Sequence, residues 1–382
     1  MYDPVEAARS LQPSIREAAD RIEELRRLPP DLVEAMRSAG LFHMLIPQSI
    51  GGQEADPVAA ARAVEEVAYA DGSAGWCVML AAQSTGFAGL MPEAEAREVF
   101  GHGGIIAGTA RPIGRAVAVQ RPEAGYIVSG RWPFASGSSH ADWFMGECVV
   151  YDGDQVRLDA QGNQVTRAVF VPRSEVTTYD TWHTTGLRGT ASNDFSVTEV
   201  FVPEGRGFQM LVVEPQHPWV LYAYPQLVFM NHGSHALGLA RAALDAATEA
   251  VRTKRGWGDQ PLREVLRVQS VVAEATALIE SARCYLYATA EELWAAAQSD
   301  AAETQVLRSR VRLAASHAAR SSVQAIDLLH STLGTTAIFV SNPLERIFRD
   351  IHTAAAHVMI GQLTYQAAGR VELGMEPDFP FF

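Results

Sequence analysis

Four long helical runs close this chain and limit most of what it can fold into. From about Tyr222 onward it reads "QLVFMNHGSHALGLARAALDAATEAVRTK", "REVLRVQSVVAEATALIESARCYLYATAEELWAAAQ", "AETQVLRSRVRLAASHAARSSVQAIDLLHSTLG" and "NPLERIFRDIHTAAAHVMIGQLTYQAAGRVELG". Each run is rich in alanine, carries apolar residues at helical spacing and is joined to the next by a short link. Such helices bury their apolar stripes by packing antiparallel, which predicts a four-helix bundle. Residues 1 to about 100 also read as helices. "PPDLVEAMRSAGLF" opens on prolines that suit a first turn and stops near Gly40. Between Gly101 and about Pro203 the pattern changes to short β-rich runs, among them "AVAVQ", "YIVSGRWPFAS", "DWFMGECVVY" and "DFSVTEVFVP". Turn residues separate them, which predicts a mostly antiparallel sheet. The expected fold class is mainly α with a central β domain. An N-terminal helical domain covers 1–105, an antiparallel β-barrel or sandwich domain 106–212, and the C-terminal four-helix bundle 213–382.

Composition narrows the function classes. The formal charge of −13 argues against nucleic acid and anionic membrane surfaces as partners. No apolar run reaches the roughly 18 residues of a membrane span. The N-terminal stretch reads as a charged amphipathic helix, not a signal peptide. Cys77, Cys148 and Cys284 form no CxxC pair, so they suit a reducing cytoplasm and give no zinc site. GxGxxG after a strand, GxxxxGK[ST], GxSxG and HExxH are all absent. His352 and His357, five residues apart, diverge by about 140° on a helix and do not form an i, i+4 metal pair. No metal is expected.

Three stretches, in this order, carry a family resemblance: "GRWPFASGSSHADWF" (130–144), "TWHTTGLRGTASNDFSVTEVFVPE" (181–204) and "NPLERIFRDIHTAAAH" (342–357). Together they resemble the acyl-CoA dehydrogenase fold superfamily, and most of all its two-component (group D) flavin-dependent monooxygenases. The resemblance implies an oxygenase component that takes reduced FMN or FAD from a separate NAD(P)H:flavin reductase. It would use O2 through a C4a-hydroperoxyflavin and oxygenate a small aromatic or apolar substrate at carbon, nitrogen or sulfur. It also implies a cytoplasmic homotetramer. Two rival readings are an acyl-CoA dehydrogenase with tightly held FAD and a non-catalytic ligand-binding member of the fold. "HTAAAHVMIG" lacks the glutamate that many dehydrogenases place there, which counts against the first rival. Gln83, Ser84 and Thr85 stand where phenol-hydroxylating relatives often carry a histidine, so a phenolic substrate is not implied.

The residues themselves suggest roles. A flavin needs a flat wall, hydrogen bonds at its ring edge and donors at its phosphate. Trp132 and Phe134 offer apolar surface; Ser136 and Ser138 offer hydroxyls. The resemblance puts one of these serines near flavin N5, with Ser138 and His357 as the catalytic pair. Arg188, Thr190 and Ser192 form either a cofactor contact or a plain strand-connecting turn. Arg255 matches an arginine that meets the flavin phosphate across a subunit interface, and Gln269, read as mid-helix, matches a cofactor-contacting glutamine. Asn342, Pro343 and Glu345 predict a helix start with a capping box. On that helix Arg346, Asp350, Thr353 and His357 share one face. Arg346, Arg349 and Asp350 read as an interhelical salt-bridge network, Arg349 also as a cofactor contact. The three alanines before His357 leave room for a flat ligand.

Overall fold

Aspartates start the first long helices. The computed structural model describes residues 2–382 apart from 121–122, 211, 213, 300–303 and 380–381. Asp3 caps α1 (Pro4–Leu25) by accepting from the Val5 and Glu6 N–H groups, and Asp56 caps α3 (Pro57–Ala70) through Val58 and Ala59. Asp71 caps α4 (Gly72–Thr85) through Ala74. In each case a side-chain oxygen satisfies donors that the first helical turn leaves free. α2 (Pro30–Ser38) and α5 (Glu93–Phe100) complete this part.

The sheet comprises β1 (Ile106–Val119), β2 (Gly125–Ala135), β3 (Trp143–Asp152), β4 (Gln155–Val156), β5 (Thr166–Pro172), β6 (Thr177–Tyr179), β7 (Asn193–Pro203) and β8 (Gly207–Phe208). Its strand order is β6-β7-β2-β1-β3-β5-β8, with β4 paired to β3. β1 and β3 run parallel and the other pairings are antiparallel, so the sheet is mixed. The reason is topological. β2 folds back on one edge of β1, the turn after Ala135 carries the chain across, and β3 lands on the other edge running the same way as β1.

α6 (Gln226–Phe229), α7 (Asn231–Thr253), α8 (Leu266–Gln298) and α9 (Gln305–Leu333) precede α10 (Pro343–Ala354) and α11 (Gln362–Glu372). The last helical run is therefore two helices. Met359 O, which would continue a helical ladder, accepts instead from Arg312 Nη2 at 2.9 Å and Thr364 Oγ1 at 3.2 Å. Asn342 caps α10 through Leu344 N–H, as expected. Glu345 does not close a capping box, because its carboxylate is taken by Arg349 at 2.6 and 2.9 Å.

The helices before and after the sheet share one core, in which Ile15, Met36 and Val64 pack with Leu237, Leu286, Ile326 and Ile351. The sheet has its own core around Val128, Trp132, Phe144 and Phe195. The loop from Gly186 to Thr190 pins the two together. Leu187 N–H donates to Asp350 Oδ1 at 2.6 Å, and Gly189 N–H to Ser73 Oγ at 3.1 Å. Arg349 donates to Thr185 O. A Cβ at Gly186 would fall 2.1 Å from Arg349 O, and one at Gly189 would fall 2.0 Å from Ile22. Only glycine fits either place.

Burial, reinforced by the nearby charge of Asp71, pushes the Asp350 carboxyl up to about 8. The folded protein therefore holds a proton that the unfolded chain releases. That contribution is complete below the ordinary carboxyl range and is lost as pH rises toward 8, at up to about 1.4 kcal/mol per pH unit. Between pH 6.5 and 8, thermal unfolding should show stability falling in the parent and a flatter profile in Asp350→Asn. Equal slopes would remove Asp350 from this role.

Candidate active site

The end of β2 carries two aromatic residues that face opposite ways, because a bulge between Trp132 and Ala135 interrupts the strand alternation that would put residues two apart on one face. Trp132 points into the sheet core. It stacks on Phe195 with centroids 5.0 Å apart, and its Nε1–H donates to Glu147 O at 2.8 Å. A Cβ at Gly114, Gly130 or Gly146 would come within 2.1–2.8 Å of the indole, so three glycines make its slot. Trp132 is thus a core residue, and the expectation that it contacts a cofactor fails for that reason. Phe134 is the outward partner. It is 55% exposed, lies edge-on to Trp182 at 6.4 Å, and has a left-handed backbone, φ 68°. A bulky residue in that region is strained, and such strain gathers at functional sites. Leu187 (φ 48°) and Ala191 (φ 45°) share it nearby.

Behind Phe134 runs a chain of hydroxyls. Trp76 Nε1 lies 3.1 Å from Ser136 Oγ, Ser136 Oγ 2.6 Å from Ser192 Oγ, and Ser192 Oγ 2.7 Å from Thr190 Oγ1. Thr190 Oγ1 ends the chain 2.9 Å from Leu187 O. A carbonyl can only accept, so Thr190 donates to it. Ser192 must then donate to Thr190, and Ser136 to Ser192. Each hydroxyl proton is committed, and Ser136 keeps a lone pair to offer. Thr190 and Ser192 belong to this hydroxyl chain; Ser138 is engaged elsewhere. Its Oγ donates to Ala191 O at 2.6 Å and accepts from Asn193 Nδ2 at 3.3 Å, so it ties two turns together.

On the helical side, His357 does not share the α10 face with Arg346, Asp350 and Thr353, because that helix stops at Ala354. It caps the following turn instead. Its Nδ1 accepts from Met359 N–H at 3.3 Å, so Nε2 carries the ring proton. The ring stacks on His232 at 4.4 Å and lies 5.7 Å from Trp76, edge-on. His235 joins from the next turn of α7, 5.2 Å from Trp76, with Nε2–H donating to Gly72 O at 2.8 Å. Burial pushes His357 and His235 down to about 4 and His232 well below the usual imidazole range. All three imidazoles are neutral at pH 7. Around them lie buried polar atoms with no partner: both side-chain polar atoms of Asn231, both ring nitrogens of His232, Nδ1 of His235, Oγ of Ser316, and Nε and Nη1 of Arg312. A protein interior seldom leaves so many groups unmatched in one place, so this group is built to receive a ligand or ordered water.

The remaining expected residues lie outside this group. Arg188 pairs with Glu23 at 3.1 Å, and Arg349 pairs with Glu23 at 2.9 Å and with Glu345. Arg346 on Asp20 joins Arg349 in the expected interhelical network, but Asp350, expected there too, makes no ion pair among the described residues and accepts from Leu187 N–H instead. Arg255 is exposed and bonds Asp259 in the loop after α7. Gln269 sits in the first turn of α8, not mid-helix among apolar residues; it faces solvent and donates to Arg263 O at 2.9 Å. Within one chain neither reaches His357. Sequence reasoning missed Trp76, Asn231, His232, His235 and Arg312. The only available signals were the helical phase of "NHGSH" and the apolar phase that Arg312 shares with Ala315 and Ala319.

Comparisons with known proteins place this fold. The acyl-CoA dehydrogenase N-terminal domain model matches residues 6–92, and the acyl-CoA dehydrogenase C-terminal domain model matches residues 230–362. Indole-3-acetate monooxygenase of Pseudomonas putida is 31% identical over 366 residues, covering 92% of this chain and 89% of that protein. The flavin-dependent monooxygenase oxygenase subunit HsaA of Mycobacterium tuberculosis is 29% identical over 383 residues, covering 96% and 94%. The structure of XiaF from Streptomyces sp. in complex with FADH2 and glycerol superimposes with a TM-score of 0.88 at 26% identity, covering 99% and 96%.

If Trp132 is purely a core residue, Trp132→Ala should cost about 3–5 kcal/mol of stability. Denaturant unfolding measures this. A loss below about 1 kcal/mol would show that the indole is not packed as described.

Proposed function

The chain belongs to the acyl-CoA dehydrogenase family and is a flavin-dependent monooxygenase of the oxygenase-component kind; from that premise we propose which residues serve its flavin and its substrate. Phe134, Ser136 and His357 hold the isoalloxazine ring of reduced FMN or FAD. Trp76, His232 and the unmatched polar atoms beside them receive a small aromatic substrate.

The residues present suit that cofactor. An exposed aromatic at a strained position offers a flat wall. Ser136, with its own proton given to Ser192, offers a lone pair. A reduced flavin carries an N–H at N5 and an oxidised one does not, so the direction of the hydroxyl chain favours the reduced form. Bound reduced flavin would supply the electrons that activate O2, and O2 itself the oxygen atom that is transferred. The protein's own tasks are orientation, desolvation and proton placement. His357 keeps its proton at Nε2 and, being neutral, donates a hydrogen bond without adding charge. Trp76 fixes the orientation of Ser136 with its indole N–H and presents its ring edges to the imidazoles. The observation that carries this reading is the contact of His357 with both His232 and Trp76, because Trp76 is also bonded to Ser136. It joins the helical wall of the site to the sheet wall.

A partner flavin reductase goes with an oxygenase component, and we assign it NAD(P)H as electron source. The assembly we propose is a cytoplasmic homotetramer. Arg255 and Gln269 lie on an exposed stretch with Leu266, which is 77% exposed, and Phe339 and Val340 are exposed at the start of α10. Surfaces of this kind are covered in an oligomer. A neighbouring subunit would bring Arg255 and Gln269 to the flavin phosphate. Arg188 and Arg349 act indirectly, through the loop that carries Thr190 and Ser192.

His357→Ala should leave folding nearly intact and shift turnover from oxygen transfer toward release of hydrogen peroxide. The ratio of oxygenated product to peroxide at saturating substrate and equal flavin occupancy decides it. An unchanged ratio with lowered thermal stability would make His357 a packing residue only.

Light scattering at micromolar concentration should report four subunits. Arg255→Ala should then weaken reduced-flavin binding by about ten- to hundredfold, as expected for one lost charge-assisted contact. Unchanged affinity would leave Arg255 as a solvated loop residue.

A further inference from the structure

Arg312 is a buried cation with no counter-charge among the described residues. It lies on α9 with no exposed surface, and Nη2 donates to Met359 O at 2.9 Å. Nε and Nη1 have no partner. Burial alone accounts for its displacement, down to about 10, and no carboxylate among the described residues offsets it. It is still charged at neutral pH.

The same fold neutralises buried charge elsewhere. Glu65, just as deeply buried, bonds Arg241 at 2.7 Å, Arg283 at 2.8 Å and Tyr287 Oη at 2.5 Å. A buried ion left without its partner costs several kcal/mol, so an unpaired one signals a partner from outside. The surroundings of Arg312 show what that partner is. The guanidinium is close enough to His232 and His357 for its charge to oppose protonation of both. It lies 5.6 Å from the centre of the Phe229 ring. Ser316 Oγ, one turn along α9, and both polar atoms of Asn231 are also unmatched. Flat aromatic and imidazole faces thus stand beside a cation and neutral donors.

We propose that Arg312 binds a carboxylate on the aromatic substrate, so that this enzyme acts on aromatic acids in preference to their neutral counterparts. The inference rests on the reading that Trp76 and His232 receive the substrate, and it adds the substrate's charge. A guanidinium suits a carboxylate because its planar array of N–H groups meets both oxygens.

The test compares indole-3-acetate with indole-3-acetamide, which has the same shape and no charge. Binding to the full chain with saturating reduced flavin is measured by anaerobic calorimetry. The parent should bind the acid at least about tenfold tighter than the amide. In Arg312→Gln the ratio of acid to amide affinity should fall to about one, whatever both lose through the freed Met359 carbonyl; Arg312→Lys should recover part of the preference. An amide that binds the parent as tightly as the acid overturns the proposal without any variant. So does an acid preference that survives in Arg312→Gln. If indole binds but the acid is no better, only the charge assignment falls. If indole, resorcinol, the acid and the amide all fail to bind, the substrate site itself falls with it.

Discussion

The contact between Asp350 and the Leu187 N–H holds the two halves of this site together. Thr190 and Ser192 hang from the loop after Gly186, and that loop meets the helices through a buried carboxyl, a serine, the Arg188–Glu23 pair and two close approaches at its glycines. Thr190 sets the direction of the hydroxyl chain by donating to Leu187 O. The position of that carbonyl is fixed by the N–H of its own residue on Asp350. A helical carboxyl thus determines which way a serine four hydrogen bonds away presents its lone pair. The left-handed backbones of Leu187 and Ala191 are tolerable because so many contacts over-determine this loop.

The helical wall follows the opposite logic. Its imidazoles are pressed into neutrality and its polar atoms are left unmatched. An interior like this lowers stability, and the large shared core of the surrounding helices offsets the cost. The break between α10 and α11 belongs to the same design. Arg312 and Thr364 draw the Met359 carbonyl out of the helical ladder, and the resulting turn brings His357 onto His232. One arginine thereby places a histidine with one nitrogen while its other nitrogens remain free.

Much of the architecture was legible in the sequence because it rests on local chemistry. The Asn342-Pro343 start, the change from helical to strand period near Gly101, and the long alanine-rich runs each act within a few residues. The family motifs located the sheet wall as well. What sequence could not resolve was facing. Trp132 and Phe134 are two apart in one motif, yet a bulge between Trp132 and Ala135 lets one enter the core and the other leave it. Ser136 and Ser138 differ in the same way, one toward Trp76 and the other toward Ala191. His357 was given the phase of a continuous helix, and the side chains that end that helix come from α9 and α11. Arg255 and Gln269 are solvated in the single chain, and the role proposed for them calls on a neighbouring subunit that one chain's sequence pattern does not carry.

The two walls also explain why this arrangement suits oxygen transfer better than dehydrogenation. Removing a proton next to a carbonyl needs a base beside the ligand. The buried carboxyl closest in sequence to His357 is Asp350, which burial keeps protonated near neutral pH and which is already bound to Leu187. The imidazoles are neutral, but a base must accept a proton, and Arg312 opposes protonation of both His232 and His357. What remains is a set of fixed donors, one oriented acceptor and flat apolar faces. Such a set moves no proton from carbon. It can orient two flat molecules edge to edge, keep water from between them, and hold hydrogen-bond donors where an oxygen atom changes hands.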